Sequence, residues 1–138
     1  MKTITAILIS LMFVLASSCD KSVESVPSNA YQYKAYDTTG YLIVQGWMTI
    51  VVHDSTNIDG EWHFTKVDDP QNIGPHFGDG TFHGAFDHGN LSLNLNPEFV
   101  DNNIMLQGRF ASKSFSGKWF WIGLPGGLNH GGFEAIGN

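Results

Sequence analysis

The chemistry-bearing residues that stand out are the six histidines of this 138-residue chain. Three of them, His76, His83 and His88, fall within thirteen residues, with Asp79 and Asp87 between them. Imidazole and carboxylate together are donors for zinc and similar ions. His76, His83, Asp87 and His88 are therefore a candidate metal-binding group, and with it comes the reading of a metal carrier or a small metal-dependent enzyme. The spacing is not that of a known site. His83 and His88 are five apart, which on one regular strand sends them to opposite faces, so a bulge or turn would have to bring them together. Histidines standing singly on turns and strand surfaces are the simpler expectation.

Other catalytic arrangements are weaker still. There is no G-x-S-x-G elbow, and Ser116 has no evident base. Asp68-Asp69 precedes Pro70 in what reads as a solvated turn and not as a glycosidase pair. No Gly-rich loop opens a helix to cradle phosphate. The expectation is a protein without catalysis and without a cofactor. A formal charge of −6 leaves little to neutralise a run of phosphates, so nucleic acid is not an expected partner. Trp47, Trp62, Trp119 and Trp121 are the candidate lining of a site for a small hydrophobic ligand.

The elements that must position these residues begin with a targeting segment. Met1-Lys2-Thr3 is a short positive start, Ile4 to Ala16 is nearly all apolar, and Ser17-Ser18-Cys19 follows, which is the layout of a secretory signal. The apolar run is about a dozen residues, short of the roughly 20 that span a bilayer as a helix. Cys19 is the only cysteine, so an internal disulfide is excluded. Leu15-Ala16-Ser17-Ser18-Cys19 resembles a bacterial lipobox, in the variant found in Bacteroidetes-type lipoprotein signals. The resemblance implies cleavage before Cys19, a lipid such as palmitate on its sulfur, and a membrane anchor at the bacterial cell envelope, periplasm-facing or surface-exposed. Two or three acyl chains make a stable anchor where one is marginal. Residues 1–18 then form the signal peptide, with its helix removed on maturation. Residues 19–36 form the lipidated Cys and tether, and residues 37–138 the folded domain.

That domain reads as all-β. Gly is abundant at sixteen residues, aromatics reach 13% and charged residues only 14%, a balance that favours strands and turns. Period-two runs recur between turn signals. They lie at 41–53, 61–67, 81–87, 91–96, 104–110, 115–122 and 130–136, with an eighth at 31–36. His53 to Gly60 reads as a turn, and His88-Gly89-Asn90 as a hairpin signal. Gly precedes an aromatic by two positions at Gly60/Trp62, Gly80/Phe82, Gly84/Phe86, Gly108/Phe110, Gly117/Trp119 and Gly131/Phe133. Such pairs permit sharp curvature, with rings covering bare backbone. The expectation is an antiparallel meander of seven to eight strands closing into a small barrel.

The meander, the Gly-x-aromatic pairs and the closing Gly117-Lys118-Trp119 … Gly132-Phe133-Glu134-Ala135 pattern resemble the calycin-type barrels, the group of lipocalins, fatty-acid-binding proteins and avidins. The resemblance implies the architecture over about residues 41 to 136 and carries no ligand residue with it. A barrel of this size is either filled by side chains or holds one small ligand. The function expected is thus a lipid-anchored binding or structural module of the bacterial envelope. It has membrane contact through its N-terminal lipid and either a small hydrophobic ligand or an envelope protein as partner. An inhibitor presenting the Gly123 to Gly127 loop is the further alternative.

Overall fold

The computed structural model describes residues 26–54, 56–124 and 126–138. The described residues form strands β1 (Tyr31–Tyr36), β2 (Leu42–Met48), β3 (Val51–Val52), β4 (Asn57–Lys66), β5 (Gly78–Asp87), β6 (Asn90–Asn94), β7 (Asn102–Ala111), β8 (Ser114–Gly123) and β9 (Gly126–Gly137). Every paired neighbour is antiparallel, and the order around the sheet follows the chain. β9 pairs with β1, and β2 pairs with β4, so eight strands close into a barrel with β3 as a short extra segment. The signal segment and Cys19 lie outside the described residues.

The alternation read from the sequence sets the wall. Leu91 and Leu93 of β6, Ile104 and Leu106 of β7, and Phe115 and Trp119 of β8 are all buried inside, while Ser116, Lys118, Gln107 and Arg109 face out. His88 and Gly89 both have positive φ (47° and 85°) between paired Asp87 and Asn90, the two-residue turn whose twist matches its strands.

Four expectations shift. Tyr31–Tyr36 is a full wall strand between β2 and β9, so the domain begins at least six residues before the 36/37 boundary drawn from the sequence. The 41–53 run is one line in space, because Met48 opposite Trp62 and Val51 opposite Asp59 keep the same register. Its ladder is interrupted at Thr49, whose hydroxyl accepts from the Glu61 amide. Val51 and Val52 stand exposed, whereas the successive residues Ile43 and Val44 are both buried. β4 starts at Asn57 and not at Glu61, because the Asp54 carboxylate gathers the amides of Thr56 and Asn57 and finishes the turn early. β9 likewise starts at Gly126, four residues before His130.

The barrel has two unlike ends. The loop end carries the β1–β2, β4–β5, β6–β7 and β8–β9 connections. The entry end carries the β2–β4 arm with β3, the His88-Gly89 hairpin, the Ser112-Lys113 turn and the point where the chain enters at Ala30.

Candidate functional site

The Gly-x-aromatic glycines leave no vacancy: a ring of the neighbouring strand lies over Gly60, Gly80 and Gly131, the Leu93 side chain over Gly84, and backbone of the paired strand against Gly108 and Gly117. Trp62 of β4 stands opposite Gly80 of β5, and its indole Nε1 reaches on to donate to the Leu95 carbonyl at 2.9 Å. Trp119 of β8 stands opposite Gly131 of β9 and donates in the same way to the Tyr36 carbonyl, at 2.8 Å. Each Trp thus braces three successive strands, and the two braces sit half a barrel apart. A Cβ on Gly80 would come 3.1 Å from the Trp62 ring, and one on Gly131 would come 2.6 Å from Trp119 Nε1. Where a ring covers a glycine, at Gly60, Gly80 and Gly131, it is the cross-strand partner and not, as the Gly-x-aromatic spacing suggested, the residue two along. Directly opposite residues have Cβ atoms about 5 Å apart, whereas i and i+2 are about 6.6 Å apart along a strand.

These placements decide the four candidate tryptophans. Trp62 and Trp119 are 3% and 0% exposed and belong to the core. Trp121 is half-buried beneath Gly74, with its Nε1 donating to Asn102 Oδ1. Trp47 lies on the outer wall, stacked on His63 at 6.0 Å between centroids. The structure does not gather the four into one site.

His76 is fully buried at the loop end, where the 67–77 segment folds Ile73 and His76 over the barrel mouth. Its Nε2 shares a 2.7 Å hydrogen bond with the Tyr33 hydroxyl, and its ring packs on Trp119 and Phe64. Nδ1 has no hydrogen-bond partner. Desolvation holds the imidazole down to about 3 and raises the Tyr33 hydroxyl, so both stay neutral.

The sign of the resulting pH dependence follows. An unfolded His takes up its proton near 6.5, whereas buried His76 resists until about 3. Its contribution is complete above about pH 6.5 and is lost as pH falls toward 3, at up to ~1.4 kcal/mol per pH unit. His76→Gln keeps a polar partner for Tyr33 and does not titrate. Urea unfolding of the two proteins between pH 7 and 3.5 is expected to show an acid slope steeper by about one proton in the wild type. Parallel slopes would place His76 in water.

The candidate metal residues are dispersed. His76 is inside at the loop end, while His83, Asp87 and His88 are exposed on the outer wall and the entry-end hairpin, where His88 Nδ1 contacts Asp87 Oδ1. Among the described residues no group of three or more His, Cys, Asp or Glu is placed to hold a metal ion.

What remains is the two ends. At the loop end, Val100 is 98% exposed, Leu124 80% and Phe99 60%, with Ile122 and Leu128 partly exposed beside them. Gly123 lies close to both the Asp101 carbonyl and the Leu128 side chain, so the β8–β9 turn sits beside the end of the β6–β7 connection. Carboxylates ring these tips: Asp37, Asp68, Asp69, Glu98 and Asp101 lie in the loop-end connections, with Lys66 as the cation at the end of β4. The Thr39 hydroxyl and neighbouring amides hold the Asp37 carboxyl below its usual range, and Asp68 raises the Tyr41 hydroxyl that bonds to it. Sequence reading noticed the Gly123–Gly127 turn but missed Phe99-Val100. The signal for it was two large apolar residues inside a turn segment, between Glu98 and Asp101.

At the entry end, Ile50, Val52, Ile58, Phe86, Leu91 and Phe110 enclose a recess of about 110 Å³ with an entirely apolar lining. That volume takes the end of an alkyl chain, not a whole lipid. No family model, no curated protein and no solved structure matches this chain, so its residues and geometry carry the functional argument.

Proposed function

We propose that the chain is a lipid-anchored, extracytoplasmic β-barrel of a bacterial envelope, calycin-like in its sequential eight-strand wall, that works without catalysis as a protein-binding module. The observation that carries this reading is the loop end. Val100, Leu124 and Phe99 are large apolar residues held out into solvent within an acidic rim, on a barrel whose interior is occupied by Trp and Phe rings. Exposed apolar groups collected at one place mark interaction surfaces. The lipobox-like ending at Cys19 supports the anchor, and it leaves the loop end directed away from the point where the chain enters.

The double variant Val100→Ser/Leu124→Ser tests the module. Both residues are exposed, so the unfolding midpoint is expected to stay within about 0.5 kcal/mol of the wild type. Loss of even one buried interface anchor costs about 2 kcal/mol, so capture of the dominant envelope partner on immobilised protein is expected to fall at least roughly 30-fold. Equal capture by the wild type and the variant would remove the loop end from the reading. Intact mass of the mature protein checks the other half, since acyl chains on Cys19 are expected.

A further inference from the structure

The apolar residues of the entry end form a separate group from those of the loop end. Val52 is 61% exposed on the β2–β4 arm with Val51 exposed beside it, and Val26 and Ile136 are exposed elsewhere at the same end of the barrel. The arm's Ile50 and Val52 roof the apolar recess over Ile58, Phe86 and Phe110, and Tyr31 packs on Phe110 from the side where the chain enters. Asn29 lines the surface beside Thr49 and Val51, so the chain arrives directly against this arm.

The charge differs between the ends as well. The loop-end connections carry five carboxylates, with Lys66, whose Nζ lies over the Phe77 ring, as the cation at the end of β4. At the entry end Asp54 accepts from Thr56 and Asn57, Asp59 contacts His53 at 2.6 Å and Asp87 contacts His88, while Glu61 lines the same surface as Asn29 and Val51. Arg109 and Lys113 add cations there. Both ends carry carboxylates, but the loop end is the more acidic, so an anionic surface repels it more strongly than the entry end.

We propose that the entry end is a membrane-docking face, with the Ile50–Val52 arm seated in the headgroup region of the bilayer and the loop end pointing away from it. This rests on the anchored reading above. Cys19 lies seven residue steps before Val26, a reach of at most about 25 Å. A ten-residue strand tilted in a barrel wall also covers about 25 Å. A lipid on Cys19 thus holds the entry end against the surface, and the chain would have to run the length of the barrel before the loop end could touch it. Partial burial of a few apolar side chains then adds to the acyl anchor, as it does for other interfacial segments.

The test uses the full-length chain expressed with its signal and purified from membranes, carrying either Val52→Cys or Leu124→Cys. Lipidation blocks Cys19, so one nitroxide label per protein is expected; two labels would overturn the anchor and, with it, the docking face. The labelled protein is reconstituted in phosphatidylethanolamine/phosphatidylglycerol vesicles, and the ratio of oxygen to nickel-chelate accessibility is read by power-saturation EPR. A severalfold rise at position 52 relative to detergent-free protein on a soluble tether, with position 124 unchanged, is the expected result. With one label present, an aqueous position 52 or a bilayer-shielded position 124 would overturn the docking face while leaving the anchor intact. Val51→Cys repeats the reading should Val52→Cys fold poorly.

Discussion

Gly117→Ala is expected to abolish the folded barrel, or to cost more than about 4 kcal/mol where some folds. Gly117 of β8 lies opposite Gly108 of β7. A Cβ there would sit 2.1 Å from the Gln107 carbonyl oxygen and 2.5 Å from the Gly108 Cα. Both obstacles are backbone of a paired strand, so no rotamer change relieves them, and only separation of β7 from β8 would. Gly132 provides the contrast on the next strand, because its Cβ would meet only one atom, at 3.9 Å. Gly132→Ala is expected to change stability by less than about 1 kcal/mol, in either direction. Guanidinium unfolding followed by Trp fluorescence measures both. Equal stability of Gly117→Ala and wild type would mean that the two strands are not so closely apposed.

Trp119→Ala carries the second large effect, about 3 to 5 kcal/mol from the cavity that remains. Trp119 is fully buried, packs on His76 at 4.9 Å between centroids and holds β8, β9 and β1 together through the Tyr36 carbonyl. Its loss also leaves that carbonyl without its indole donor, a penalty that simple truncation does not include. Trp47→Ala, on the outer wall, is expected to cost less than about 1 kcal/mol. Should the two substitutions cost the same in denaturant unfolding, Trp119 would not be the brace described.

Trp119 also ties the interior to the loop end. Trp119 is one wall of the His76 site, and His76 closes the loop-end mouth beside the β4–β5 segment. Truncating Trp119 therefore loosens the acidic rim as well as the core, whereas Gly117 acts on strand closure alone. The exposed tips at Val100 and Leu124 are independent of both, which is why a binding defect and a folding defect are separable by experiment.

The sequence by itself determined the strand set and the inward rows. Leu91-x-Leu93-x-Leu95 and Ile104-x-Leu106 alternate strictly, and a one-residue slip would send each row into water. It determined the tight hairpin too, since His88-Gly89 lies between paired ends and Gly accepts positive φ. The Gly-x-aromatic spacing gave the curvature but not which ring covers which glycine, because that depends on cross-strand register.

Tertiary structure alone decided the rest. The candidate metal group fails to assemble because the 67–77 segment turns His76 into the mouth while β5 holds His83 outward, and no local spacing encodes that fold-back. The four tryptophans look equivalent in the sequence, yet two are braces, one lies under a loop and one is on the outer wall. The division of the rim into an acidic, apolar-tipped loop end and a less acidic entry end arises only on closure. It brings together connections that are as far as 87 residues apart, such as Asp37 and Leu124, and periodicity within a strand has no reach over that separation.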